Sequence, residues 1–228
     1  MFVIPCKYDP NKDCITKLIQ SIVETNPNEE IVVVDSGSSD KSYFQKIKDI
    51  AKDKLHIEDV NNQNYHVGAY WIAFKKYKRD FYYFMHDSMI VKDNLSKYKD
   101  KYFTGLAWFE YSLGNGDVAE NEIKKHTNYK IPNNGLCIFG PVFFCQRDLM
   151  EKLQNRGLDK ILPTYSEHSP EHLKTGVAAY AVEGTFGIAV AQEGVNLRTN
   201  TLFGNVFSFD RFNTDWQYPV QKYFTRRA

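Results

Sequence analysis

The chain has 228 residues, 43% of them hydrophobic and 25% charged, with a formal net charge of +1. These are ordinary globular proportions, which exclude a disordered chain and leave room for one large domain or a domain with a substantial appendage. The near-neutral balance, without a run of Lys and Arg, argues against a protein built to hold nucleic acid.

Strand and helix patterns alternate through the first half, which implies an α/β fold with a mostly parallel sheet flanked by helices. Phe2–Cys6 reads as a short buried strand, and Asp9-Pro10 as a helix cap and first helical residue. Ile15, Leu18, Ile19 and Ile22 then share one face at helical spacing. Glu30–Asp35 is the clearest strand. Ser38 or Ser39 is expected to cap the next helix, with Phe44, Ile47 and Ala51 facing inward. His56–Val60 is a weaker strand, NNQNYH a polar loop, Gly68–Tyr77 a helix and Phe81–Met85 a strand. The second half is less regular. It holds a strand within Lys101–Tyr111, a polar helix or loop over Gly114–Asn128, and a strand pair or one bent strand over Leu136–Cys145. A short helix at Asp148–Gln154 and a long apolar one from Val177 to Glu193, ended by Gly194, complete it.

Cys6, Cys14, Cys137 and Cys145 form no CxxC pair and have no His at zinc-ligand spacing, so buried free thiols in a reducing compartment are expected. The amino terminus enters a strand at once and lacks the features of a signal peptide. Thr175–Gln192 is weakly charged but contains Glu183 and three glycines, so it reads as a buried helix rather than a membrane span. A cytoplasmic protein without a transmembrane segment is expected, in a host cytoplasm if the chain is viral.

Two strand ends carry the chemistry. Phe81–Met85 runs straight into His86-Asp87-Ser88. A carboxylate at the lip of a buried strand is costly to desolvate unless a cation or hydrogen-bond donors meet it. In open α/β sheets the carboxyl ends of the strands are where ligands bind, so Asp87 marks a charged-ligand site of metal–phosphate type. Asp35 ends the other strand and opens Ser36-Gly37-Ser38-Ser39-Asp40. This is either a turn that lets backbone approach a ligand or an ordinary strand-to-helix turn with a capping Ser. Neither G-x-G-x-x-G nor G-x-x-x-x-G-K-[ST] occurs, which disfavours dinucleotide and P-loop readings.

Taken in order, Val3-Ile4-Pro5, then Val34-Asp35-Ser36-Gly37-Ser38-Ser39-Asp40, then His86-Asp87-Ser88 with Lys92-Asp93-Asn94-Leu95 downstream, resemble the nucleotide-sugar-binding half of GT-A glycosyltransferases, family 2 above all. The resemblance covers residues 2–95. It implies a GT-A (Rossmann-like) domain: a nucleotide-sugar-binding half at 1–98, a less regular acceptor and catalytic half at 99–200, and an aromatic segment at 201–228 packing back on it. Pro5, Asp35 and Ser36 would line the donor's nucleoside, Asn64 to Gly68 its base and diphosphate, and His86 a ribose or phosphate. Asp87 would hold a divalent cation, Mn²⁺ or Mg²⁺, on the donor phosphates. The sequence departs from the family's pattern at His86 and Ser88, which flank Asp87 without acids, and at Ser36, where a second Asp is usual.

Glu183 is the only charge between Lys174 and Glu193. A carboxylate in so apolar a helix is either kept for function or paired with a buried cation such as Arg147 or Arg198. As a general base it would deprotonate an acceptor hydroxyl attacking the anomeric carbon, with inversion. Glu167, His168, Glu171 and His172 form a second polar cluster, with His168 a further candidate metal ligand and His172 a surface residue. Trp108, Tyr111, Trp216 and Tyr218 either pack the interior or offer faces for sugar rings.

The resulting expectation is a hexosyl- or pentosyltransferase in glycan biosynthesis, moving a sugar from a UDP- or GDP-sugar to a hydroxyl of a glycan or glycoprotein. A catalytically silent sugar- or nucleotide-binding relative is the alternative from another class. A sugar nucleotidyltransferase is disfavoured, because no glycine-rich Arg/Lys loop follows the first strand.

Overall fold

The computed structural model describes residues 1–60, 65–111, 118–132, 135–161, 177–208 and 219–222. The chain divides into two compact units, one formed by Met1–Asp100 with Asp210–Ala228 and the other by Lys101–Phe209.

The first unit is built on four parallel strands: β1 (Phe2–Cys6), β2 (Ile31–Ser36), β3 (Leu55–Val60) and β4 (Phe81–Phe84), in the order β3-β2-β1-β4. β1 and β4 are buried throughout, and β2 is buried as far as Asp35. That is the pattern of strands covered on both faces. Helices α1 (Cys14–Thr25) and α2 (Tyr43–Ala51) follow β1 and β2. Both crossovers step in the same direction along the sheet, so right-handed connections place these helices on one face. Helix α3 (Tyr65–Lys76) instead carries the chain from β3 past β1 to β4, which reverses the direction and places it on the opposite face. The reversal between β1 and β4 makes their carboxyl ends a topological switch point, where such sheets open a crevice for ligands.

Past β4, the turn at Asp87-Ser88 leads into β5 (Met89–Val91), which pairs antiparallel with β10 (Val220–Lys222). Side chains from α1 pin this stretch. Ser21 Oγ accepts from Val91 N at 3.0 Å, and the buried Asn26 accepts from Leu95 N at 2.8 Å.

Three local expectations are corrected. Asp9-Pro10 forms a turn, and α1 begins only at Cys14 after Asp13, whose φ is +40°. α2 starts after Ser42 rather than Ser38 or Ser39, and Tyr43 rather than Phe44 is its buried aromatic. α3 begins at Tyr65, ahead of the expected Gly68, and takes in His66.

In the second unit, β6 (Phe103–Gly105) pairs antiparallel with β9 (Phe143–Gln146), and β7 (Trp108–Tyr111) with β8 (Gly135–Ile138). Around them lie α4 (Val118–His126), α5 (Arg147–Asn155) and α6 (Val177–Gln192). From Gly184 to Val190 α6 is buried on every side, so its apolar composition reflects enclosure rather than amphipathic packing. It lies so close to β8 that a Cβ on Gly187 would stand 1.9 Å from the Leu136 carbonyl oxygen. Among the described residues no helix is long and apolar enough to cross a membrane. None of the four cysteines is in a disulfide, and all but Cys14 are buried.

Candidate functional site

Parallel pairing puts the ends of β1, β2 and β3 side by side, with Cys6 opposite Asp35 and Asp35 opposite Asp59. Pro5 lies one residue inside this edge, buried against Val34. Asp35 is completely enclosed. Its Oδ1 accepts from Gly37 N and Ser38 N, each at 2.9 Å, and from Lys41 Nζ at 2.5 Å. Its Oδ2 accepts from Tyr43 Oη at 2.5 Å. Burial works to raise this carboxyl's pKa, but the bonds from Lys41, Ser38 and Tyr43 outweigh it and hold it below the usual carboxylate range. Lys41 bridges on to Asp59 at 2.6 Å. Gly37 supplies the φ of +78° at which the chain turns away from Ser36, and Ser38 Oγ accepts from Tyr8 N at 2.8 Å. The Asp35 carboxylate therefore spends its acceptor capacity on the turn that presents Ser36 and Gly37. Of the two sequence readings of this turn, the structure supplies the internal bonding of the structural one, with Ser38 bonding Tyr8 rather than capping α2.

Asp87 follows β4 at the switch point. Pairing with β1 continues through Met85 N, which donates to Val3 O at 3.1 Å, so His86 and Asp87 emerge just past the paired edge. The reach of the Asp87 charge shows in its neighbours. Burial first, and then Asp87, pushes the thiols of Cys6 and Cys14 and the phenol of Tyr70 to higher pKa. Asp87 thus sits among the end of β1, the start of α1 and the first turns of α3. Gly68 is buried in α3, in the turn between His66 and Tyr70.

His66 lies within the span Asn64 to Gly68 that the resemblance sets beside the base and diphosphate, but it was not singled out there. It lies one helical turn before Tyr70 on α3, and its ring stands 4.5 Å, centre to centre, from that of His86 at an interplanar angle of 54°. The Nε2 atoms of both rings are buried. Tyr70 packs 4.7 Å from Phe84, which fixes α3 against the end of β4. The amino-terminal turn of α3, with its outward-pointing amides, is thereby brought to the Asp87 turn. Besides that span, the signal in the sequence was helical spacing, with His66 four residues before Tyr70.

In the second unit, Glu183 Oε1 accepts from Gly140 N, in the turn between β8 and β9, at 2.6 Å. Arg147 and Arg198, the cations considered for it, pair with Glu151 at 2.6 Å and Glu110 at 2.7 Å. The Arg198 guanidinium also covers a face of the buried Trp108 at 4.5 Å, so that indole belongs to the packing. Asn64, Glu167, His168, Glu171, His172, Trp216, Tyr218 and the side chain of Tyr111 lie outside the described residues. Among the described residues, no group of three or more His, Cys, Asp and Glu side chains forms a ready-made metal cage.

A parallel α/β sheet in Rossmann-like order, with an acidic turn and a helix amino terminus at its switch point, is the architecture of the GT-A nucleotide-binding fold. The model of the family described as Glycosyl transferase family 2 matches residues 1–151 of the 228, and the chain belongs to that family. Core-mannan synthase A (CmsA/Ktr4) from Aspergillus fumigatus, in its Mn/GDP form, is 9% identical with a TM-score of 0.51, covering 88% of this chain and 71% of that one. S. aureus TarS 1–349 in complex with UDP is 17% identical with a TM-score of 0.45, over 79% of this chain and 53% of that one. HddC from Yersinia pseudotuberculosis is 13% identical with a TM-score of 0.43, over 66% and 78%. At these identities the likeness is one of fold, and it rests on the fungal synthase. The chain spans about half the length of S. aureus TarS 1–349, 48% of that chain in one structure and 53% in the complex with UDP. No curated protein matches it at a significant level.

Proposed function

We propose that this protein transfers a hexosyl or pentosyl group from a UDP- or GDP-sugar to a hydroxyl of a glycan or glycoconjugate, with inversion and with the help of Mn²⁺ or Mg²⁺. The observation that carries the reading is the meeting of Asp87 with the amino terminus of α3 at the switch point between β1 and β4. A site that offers a carboxylate for a cation and helix amides for an anion suits a metal-bound diphosphate. The donor set offers a single carboxylate, Asp87, without a preformed cage among the described residues, which fits a cation that takes its remaining ligands from the donor phosphates and water.

In this reading the Asp35-centred turn presents the backbone of Ser36 and Gly37 to the nucleoside, with Pro5 behind it. Asn64 and the first turn of α3, through Gly68, face the diphosphate. Asp87 would hold the cation, with His168 a further candidate ligand, and a cation held there would supply positive charge against that developing on the leaving diphosphate. Glu183 takes the proton from the acceptor hydroxyl. Its bond from Gly140 N orients the carboxylate in a helix that is otherwise apolar. Cysteines outside any disulfide suit a reducing, cytoplasmic setting.

The test is a thermal-shift panel of nucleoside diphosphates and nucleotide sugars with and without Mn²⁺. A ligand that binds only the folded protein raises its melting temperature with ln(1 + [L]/Kd). The proposal expects a UDP or GDP ligand to stabilise the protein more strongly with Mn²⁺ present. No shift with any nucleotide would remove it.

A further inference from the structure

We infer that Lys41 and Asp59 read the nucleobase of the donor and select guanine, so that the donor is a GDP-sugar. The inference rests on reading the protein as a nucleotide-sugar enzyme and narrows its donor to one base.

β2 and β3 end side by side, with Asp35 opposite Asp59 and Ser36 opposite Val60, so the edge that carries Ser36 and Gly37 also carries Asp59. Asp35 is enclosed, and its acceptor capacity is taken by Gly37, Ser38, Lys41 and Tyr43. Glu58, the neighbouring carboxylate on β3, is turned to Lys76 and Tyr77. Asp59 differs from both. Its side chain is 57% exposed, and Lys41 Nζ holds its Oδ1 at 2.6 Å. Lys41 is anchored in turn by Asp35 at 2.5 Å. An ammonium has three N–H donors and a carboxylate two acceptor oxygens, so the pair still offers a donor and an acceptor beside each other.

That order complements a base edge with a carbonyl next to a ring N–H. Guanine carries it at O6 and N1–H, and uracil at O4 and N3–H. Cytosine and adenine carry an amino group next to a bare ring nitrogen, which is the reverse order. The third position on the edge separates guanine from uracil. Guanine adds its N2 amino group, a second donor to the Asp59 carboxylate. Uracil adds its O2 carbonyl, an acceptor facing an acceptor. A site that hydrogen-bonds a substrate group discriminates against an analogue that leaves the site's polar atoms unpaired.

The test is calorimetry of the full chain with GDP, IDP, UDP and CDP in the presence of Mn²⁺, for the wild type and for Asp59→Asn. IDP carries guanine's ring without the amino group. The inference expects GDP to bind about tenfold tighter than IDP or UDP, with CDP weakest. Asp59→Asn exchanges one carboxylate oxygen for an NH₂ group, which donates to uracil O2 and opposes the guanine amino group. The variant should therefore lose about tenfold in GDP affinity and gain in UDP affinity, narrowing or reversing the preference. Its melting temperature should stay within a few degrees of the wild type, because Asp59 is exposed. A purely structural ion pair would leave the ratio of GDP to UDP affinity unchanged. That unchanged ratio in Asp59→Asn, or UDP binding to the wild type as tightly as GDP, would overturn the inference and leave the nucleotide-sugar reading standing. Failure of all four nucleotides to bind would overturn both.

Discussion

Replacing Asp35 with Ala tests the physical account of the donor-side turn. The carboxylate is fully enclosed and accepts four hydrogen bonds. The variant strands two buried donors, Tyr43 Oη and Ser38 N, at about 1–3 kcal/mol each. Lys41 is 35% exposed and keeps Asp59 at 2.6 Å, so its loss is largely screened. The total expected is about 3–5 kcal/mol, or about 6–20 °C in melting temperature for a chain of this size. Tyr43→Phe keeps the stack on Tyr8, at 4.5 Å, and loses one bond, so it should cost about 1–2 kcal/mol. The pH dependence follows from the direction of the shift. Because the folded carboxyl is held below its unfolded value, its contribution is complete above about pH 4 and disappears as the pH falls through the folded value. Urea unfolding followed by circular dichroism at pH 7 and pH 3 measures both effects. The gap between wild type and Asp35→Ala should be large at pH 7 and narrower at pH 3. A neutral-pH difference under about 1 kcal/mol, or a gap that does not narrow in acid, would refute the reasoning.

Asp87→Ala should remove the Mn²⁺-dependent part of nucleotide binding by calorimetry while leaving the melting temperature within a few degrees of wild type. Glu183→Gln still offers an oxygen to Gly140 N, so stability and donor affinity should barely change while transfer falls by about 10²–10⁴-fold. A large drop in its melting temperature would instead mark Glu183 as half of a buried ion pair. Gly187→Ala forces a methyl onto the Leu136 carbonyl oxygen, and should cost more than about 3 kcal/mol in denaturant unfolding of the second unit. A Gly187→Ala variant as stable as wild type would contradict the packing of α6 on β8.

The parallel strands of the first unit were legible because buried runs such as IVVVD carry one reading at every level: β-branched, apolar and closed by a turn. Helix α6 was equally legible, since Val177–Gln192 is long, apolar but for Glu183 and Gln192, and followed by Gly194. Helix starts were not. The turn at Pro10 is closed locally, by Lys12 N and Asp13 N donating to Asp9 O, an alternative to helix that Asp-Pro equally allows; the capture of Ser38 by Tyr8 depends on a contact thirty residues away, and the polar run NNQNYH concealed where α3 begins. The same distance effect governed the site. Asp87 was visible because a carboxylate ending an apolar strand is anomalous in one dimension. Its neighbour His66 lies twenty residues before His86, and only the β3-to-β4 crossover brings the two together. Asp35 was found as a position, but its role in holding the turn required Lys41 and Tyr43 to fold back onto it.

The central claim is most directly tested by measuring release of nucleoside diphosphate from a panel of UDP- and GDP-sugars, with and without Mn²⁺, by the wild-type chain and by Asp87→Ala. The account predicts turnover of at least one donor, stimulated by Mn²⁺ and lost in the variant. Donor binding without turnover under any condition would make the protein a silent binding relative. Pyrophosphate release from a nucleoside triphosphate and a sugar phosphate would make it a nucleotidyltransferase, and either result would contradict the account.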